Sequence, residues 1–180
     1  MFTLEQLVAD CRQALGGPSA DGAIKEIVKR AVSDPAAVER ALGTPKRAEI
    51  VALHRADDLT ILNVIWAPGM SIFPHDHRMW AVIGLYGGRE DNYFFRRTPA
   101  GVQRASLKQL ETSDAALLGA QTIHAVTNPL TCFTGAIHVY GGDFFAVPRS
   151  QFDPDTLEER PYDVENTKRA FLEANQKLHA

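Results

Sequence analysis

Six histidines carry the widest range of chemistry in this sequence: His54, His75, His77, His124, His138 and His179. Neutral imidazole is a common ligand for iron, zinc, copper and nickel, and near neutral pH it can also move protons. His75 and His77 stand two residues apart. Residues i and i+2 of an extended strand project from the same face, so both rings can meet one ion from a single rigid element. His124 comes much later, after an apolar run and a glycine, as expected of a strand returning beside the first. His138 and Tyr140 repeat the i, i+2 spacing, so they share a strand face. An H-x-H pair alone is equally compatible with a surface or hydrogen-bonded pair of rings. His179 falls in the terminal tail, where a solvated role is expected, and His54 has no partner pattern and reads as structural.

The elements that must position these residues are legible in the hydrophobic pattern. From about residue 47 to 147 the chain is a series of short β-rich runs, such as LTILNVIW, WAVIGLY and GAIHVYG, broken by Gly, Pro, Asp and Asn. That texture predicts an antiparallel sandwich or barrel, not alternating β and α units. Helices are expected before it over 3–15, 21–33 and 35–42. In the first, Leu4, Leu7, Val8, Cys11 and Leu15 share a face and Thr3 with Gln6 suggests a capping box; in the second, Ile24, Ile27, Val28, Ala31 and Val32 turn inward. A last helix is expected near 163–178. The segment RSQFDPDTLEERPYD before it reads as irregular and polar. The expected organisation is one domain over 1–180, with a helical cap (1–46), a barrel (47–147) and a C-terminal extension (148–180).

The chain of 180 residues is long enough for one real core, and its formal net charge of −3 gives no broad attraction to nucleic acid. No stretch approaches a membrane span, and MFTLEQLVAD lacks the basic start and apolar run of a secretory signal. Cys11 and Cys132 lie far apart and form no disulfide framework, Cys132 reading as a buried apolar residue. A cytoplasmic location is expected, as a monomer or homodimer with no nucleic-acid or membrane partner.

The segments Gly69-Met-Ser-Ile-Phe-Pro-His75-Asp-His77 and Gly119-Ala-Gln-Thr-Ile-His124-Ala-Val-Thr-Asn128-Pro129 resemble, in that order, the two signature motifs of the cupin superfamily. The resemblance implies an all-β core, the double-stranded β-helix or antiparallel jelly-roll barrel, with a divalent transition metal on His75, His77 and His124. Many cupins add a glutamate ligand soon after the pair. Here Arg78, Met79, Trp80, Ala81 and Val82 follow, and Glu90 stands beyond a Gly87-Gly88 turn, too far along to serve. Three neutral ligands leave the metal its full charge and several open positions, which favours an anionic ligand.

Within the cupins, the chain resembles the thiol dioxygenases, the cysteine and mercaptopropionate dioxygenase families, over roughly residues 1–145. Those enzymes hold ferrous iron on three histidines. Trp66, the Pro74–His77 segment, Ile123–Asn128 and Ala136-Ile-His138-Val-Tyr140 carry the resemblance, the last matching a Ser-x-His-x-Tyr pattern. It implies catalytic roles for His138 and Tyr140: the hydroxyl can hydrogen-bond dioxygen or a substrate oxygen, and the imidazole can fix its proton. The alternative is that the two residues simply hold each other in the core. Ala136 replaces the family serine and would shorten the relay. Ala81 stands about where animal members carry a cysteine joined to the tyrosine, so that cross-link cannot form. The substrate-carboxylate arginine is expected before Trp66, where Arg47 and Arg55 offer no clear match; the substrate-binding residues are thus unassigned. Arg89, Arg96 and Arg97 read as a solvated hairpin end or an anion site, and Met79 and Trp80 as core or pocket mouth.

Fe(II) is the expected cofactor, with Zn, Ni or Mn open. The expected function is an oxygenase using O2 on a small, thiol-containing carboxylate. A non-oxidative metal-dependent isomerase or lyase, and a small-ligand-binding cupin without turnover, are the alternatives.

Overall fold

The computed structural model describes residues 2–178. Three helices come first: α1 (Leu4–Leu15), α2 (Ala20–Ala31) and α3 (Pro35–Leu42). Nine strands follow: β1 (Glu49–Arg55), β2 (Thr60–Trp66), β3 (Ser71–Asp76), β4 (Ala81–Gly87), β5 (Arg89–Thr98), β6 (Gly101–Glu111), β7 (Ala115–Leu118), β8 (Ile123–Thr127) and β9 (Thr134–Tyr140). Two short strands, β10 (Ser150–Phe152) and β11 (Glu159–Pro161), and helix α4 (Val164–Lys177) complete the order. His179 lies outside the described residues.

The strands form two sheets, β1-β2-β9-β4-β7 and β11-β10-β3-β8-β5-β6, and every pairing is antiparallel. Two facing antiparallel sheets with this interleaved order make the double-stranded β-helix. The strands extend past residue 147, where the sequence reads as irregular and polar. Pairing with β3 and with each other, rather than apolar alternation, makes β10 and β11 strands.

The central strands β2, β9 and β4 of the first sheet are buried on both faces, which explains their continuous apolar runs. Leu62, Val64 and Trp66 of β2, Ile83 and Leu85 of β4, and Ala136 and Tyr140 of β9 face the barrel interior. Their neighbours Ile61, Ile65, Val82, Tyr86, Ile137 and Val139 face a second cluster supplied by Leu7, Cys11, Ile24, Val28 and Val32 of the helical cap. The helices thus clamp the sheet that carries His138 and Tyr140. Gly84 is where α2 comes closest: a Cβ there would lie 2.3 Å from a methyl of Val28.

Helix starts follow their local chemistry. Thr3 Oγ1 accepts from the Gln6 amide at 3.2 Å, but the Gln6 side chain turns to Asp10, so only half of the expected capping box forms. Asp34 caps α3 ahead of Pro35, and Asp163 caps α4. Phe171 of α4 packs on Trp66, ring centroids 5.6 Å apart, and closes one end of the barrel. No described helix is long and apolar enough to cross a membrane.

Candidate metal centre

His75 lies on β3 and His124 directly opposite it on β8, paired in register. A register shift between Ile72 and His75, at Pro74, bends β3 just before the ligand segment. His77 follows the end of β3. The next residue, Arg78, has φ +56°, an uncommon conformation for a side-chain-bearing residue. It is held there by ion pairs to Asp76 at 2.7 Å and Glu159 at 3.0 Å. Asp76, between the two ligand histidines, is turned away from the barrel yet buried, and also accepts from the Ser150 amide at 2.8 Å. Arg97 pairs with Glu159 at 2.9 Å, and their bonds hold the Glu159 carboxyl down at about 2. This network ties β10 and β11 to the metal-ligand turn.

The three rings converge. His75 Nε2 lies 3.2 Å from His77 Nε2, and His124 Nε2 lies 3.4 Å from it. His75 Nδ1 donates to the Phe73 carbonyl at 2.9 Å, and His124 Nδ1 donates to Asn92 Oδ1 at 2.9 Å. In neutral rings those donations leave Nε2 of both as lone-pair acceptors. Acceptors turned toward a common point fit a cation. With metal–nitrogen distances of about 2.1 Å, adjacent ligand nitrogens sit about 3.0 Å apart in an octahedron and about 3.4 Å apart in a tetrahedron. The observed spacings fall in that range, so the donor set fits a divalent metal. Among the described residues this is the one such cluster, and no carboxylate belongs to it.

Burial pushes the His75 ring down to about 4, opposed by its bond to Phe73 and reinforced by the Arg149 charge. Burial also holds His77 and His124 well below the ordinary imidazole value, helped by their neighbouring rings. All three are therefore neutral ligands at pH 7. In the unfolded chain they protonate near 6.5, so the metal-free protein should be fully stabilised above that value. It should lose stability as pH falls from 6.5 toward 4. His75 alone accounts for roughly 3 kcal/mol by pH 4. Urea midpoints of chelator-treated protein between pH 7.5 and 4.5 should show this fall, and His75→Gln should lessen it by removing one of the three contributions; equal slopes would contradict neutral burial of His75.

His138 and Tyr140 project from β9 into the same cavity as the three histidines, with Trp66, Phe144, Tyr162 and Phe171 on its wall. His138 Nδ1 and the Tyr140 hydroxyl are 3.0 Å apart, and the Tyr140 and His77 ring centroids are 5.0 Å apart. Burial drives the Tyr140 hydroxyl upward, so it stays protonated. Ala81 is the register partner of Tyr140 on β4, so the group beside the tyrosine there is a methyl. Ala136 offers His138 no hydroxyl partner, and His138 Nε2 is buried without a hydrogen bond; a carboxylate from another strand stands near it. Glu90 is fully buried, and its Oε1 lies 3.5 Å from His138 Nε2 and accepts from the Trp66 indole at 2.7 Å. Gly88, with φ +77°, lets the chain leave β4 and enter β5 in the facing sheet, which brings Glu90 back inside the barrel.

The cavity space beside the ligands is about 30 Å³, room for one small group. Phe144, Tyr162, Thr167 and Phe171 also line a larger cavity of about 620 Å³ that opens outward past Arg149. The Arg149 guanidinium lies between two rings, 4.0 Å from Phe144 and 4.1 Å from Tyr162. Its head group donates to the Phe144 carbonyl, its Nε is buried without a partner, and among the described residues no carboxylate pairs with it.

The other arginines are engaged elsewhere. Arg55 pairs with Asp143 at 2.8 Å, Arg89 with Asp91 at 2.7 Å, and Arg47 is exposed at the outer cavity rim. Arg89 and Arg97 both belong to ion pairs, Arg97 at the exposed end of the β5–β6 hairpin. Met79 belongs to the barrel core and Trp80 packs against Gly141. Cys132 is exposed, contrary to its apolar reading, because it sits in the loop tied by Asn128, whose amide donates to the Cys132 carbonyl at 2.8 Å. Glu90, Asn92 and Arg149 were missed. Glu90 and Asn92 share strand parity, a signal hidden by treating Gly87-Gly88 as an end; Arg149 lies in a segment without periodicity.

No protein-family profile matches the chain. Among solved structures it is similar to an RmlC-like cupin family protein with a double-stranded β-helix fold from Methanocaldococcus jannaschii, at 8% identity and TM-score 0.48, over 56% of this chain and 85% of that one. It is also similar to a Bacillus halodurans protein, at 19% identity and TM-score 0.48, over 54% and 72%. An oxalate decarboxylase variant from Bacillus subtilis aligns at 13% identity and TM-score 0.44, over 57% of this chain and 27% of its own. Likenesses this distant carry nothing about chemistry. The strand order and register of the chain itself make it a double-stranded β-helix in which three converging histidines could hold a metal ion.

Proposed function

We propose that the protein is a metal-dependent oxygenase of the thiol-dioxygenase kind, using non-haem Fe(II) and O2 on a small carboxylate that carries a thiol. The observation that carries this reading is one cavity holding three histidine Nε2 atoms and the His138–Tyr140 pair, with an arginine without a carboxylate partner lining the larger cavity beside it. The iron would sit on His75, His77 and His124 and supply O2 activation with open positions for substrate. Arg149 is the group suited to the substrate carboxylate, because its planar fork binds carboxylates in pairs of hydrogen bonds and two rings already fix its plane. Tyr140, held by His138, offers the polar contact nearest the ligand histidines. Phe144, Phe171 and Trp66 make much of the remaining wall apolar and limit water at the reacting group. A thiol that takes up both atoms of O2 becomes a sulfinic acid, which needs no external reductant.

An oxygen electrode tests this with Fe(II)-loaded protein and short thiol carboxylates such as cysteine and 3-mercaptopropionate. One sulfinate should form per O2 consumed, and thiols lacking the carboxylate should react poorly. Arg149→Ala should raise KM about 10- to 100-fold, the worth of a charge-assisted bond, with a smaller effect on kcat. Oxygen-independent turnover supported by zinc or manganese would instead establish the isomerase or lyase reading.

A further inference from the structure

Glu90 is the buried group that the site chemistry above leaves without a role. It is fully buried inside the barrel, and among the described residues no lysine or arginine pairs with it. Each of its oxygens receives a donor. Oε1 accepts from the Trp66 indole N–H at 2.7 Å, and Oε2 accepts from Asn92 Nδ2 at 3.3 Å. Asn92 in turn accepts from His124 Nδ1 at 2.9 Å. On the other side, His138 Nε2 is buried without a hydrogen-bond partner and faces Glu90 Oε1 at 3.5 Å. That spacing exceeds a normal hydrogen bond, but its sign still matters. A ring nitrogen presenting its lone pair to a carboxylate oxygen in a low-dielectric interior is repelled, whereas an N–H is attracted.

We propose that Glu90 is a positioning residue for the site, acting on both of its halves. Through His138 it keeps the imidazole proton on Nε2, so Nδ1 accepts from the Tyr140 hydroxyl. The tyrosine proton then points at His138, and the lone pairs of its oxygen face the cavity. Tyr140 so arranged accepts a hydrogen bond from a ligand group that carries a proton, such as a thiol, ammonium or hydroxyl. Through Asn92 the same carboxylate orients His124, whose Nδ1–H must be held for Nε2 to face the metal. One side chain from the facing sheet thereby sets the tyrosine's polarity and one ligand's tautomer together. The ligand preference rests on the oxygenase reading; the proton positions do not.

The test is the tautomer of His138, read by long-range proton–nitrogen correlation on zinc-loaded protein with ¹⁵N-labelled histidine, zinc being diamagnetic. The expected spectrum has a protonated Nε2 and an unprotonated Nδ1 for His138, and the same measurement should show a protonated Nδ1 on His124. In Glu90→Gln the single remaining oxygen cannot serve both sides. Either the His138 tautomer moves, or Asn92 loses its acceptor and zinc affinity falls about 10-fold. A wild-type His138 protonated on Nδ1, as a Glu90 carboxyl that carried its own proton would produce, overturns the proposal. So does a Glu90→Gln protein unchanged in both readouts. Should Glu90→Gln fail to fold, the wild-type spectrum still decides. Absence of oxygen uptake would sink the oxygenase reading and leave these proton positions standing.

Discussion

His77→Ala should abolish tight metal binding and leave the barrel folded. His77 Nε2 is the hub of the cluster, within 3.2 Å of His75 Nε2 and 3.4 Å of His124 Nε2. Without it, two imidazoles remain, on β3 and β8, with no carboxylate among the described residues to take its place. The wild-type protein should bind close to one equivalent of Fe(II) or zinc, and the variant less than about a tenth of that at the same concentration. Metal at about 1,000 times its dissociation constant adds about 4 kcal/mol of stability. For a chain of this length that raises the wild-type melting temperature by roughly 8 to 16 °C. The variant should show no metal-dependent shift, and its far-UV circular dichroism should match the wild type, because His77 lies just outside a strand and makes no backbone hydrogen bond that the sheet depends on. Elemental analysis and thermal melts with and without metal decide it. Full metal content in the variant, or no shift in the wild type, would remove the metal centre.

The three candidate metal ligands were readable because a strand's two-residue period and a pair of short motifs name them without any three-dimensional information. The barrel was readable because runs such as LTILNVIW and WAVIGLY carry apolar residues at both parities, as a sheet covered on both faces requires. Glu90 was not readable because its position depends on a change of sheet at Gly88, a positive-φ residue whose effect on strand direction no local pattern encodes. An arginine near the site was sought before Trp66; Arg149, which lines the outer cavity, stands in a connection whose course is set by the pairing of β10 with β3. Strands β10 and β11 escaped notice for a related reason. Their residues, Ser150–Phe152 and Glu159–Pro161, are mostly polar, and the Asp76, Arg78, Arg97 and Glu159 network holds them where apolar alternation would hold a core strand. Polar anchoring of this kind has no period to detect.

Tyr140→Phe should keep the metal and slow turnover by about 10- to 10⁴-fold, the range for a group that moves a proton or stabilises charge at the reacting atoms. The argument starts from β9, where Ala136, His138 and Tyr140 alternate inward between β2 and β4. Tyr140 is 3% exposed, so water cannot replace its hydroxyl in the cavity. Its ring packs tilted against Phe144, centroids 4.4 Å apart, and lies 5.0 Å from the ring of His77. Phenylalanine preserves these contacts and removes one oxygen. The partner left behind is His138 Nδ1, whose bond to the hydroxyl at 3.0 Å is the one interaction lost inside the protein. That loss costs about 1 kcal/mol of stability, well short of unfolding the chain. Metal content should therefore stay near the wild-type value, because none of the three ligand rings hydrogen-bonds to Tyr140. The split between metal content and kcat separates a tyrosine that acts on the ligand from one that only fills the barrel. Unchanged kcat together with a small drop in stability would assign Tyr140 to packing, and the oxygenase reading would then lose the protein group closest to its reacting atoms.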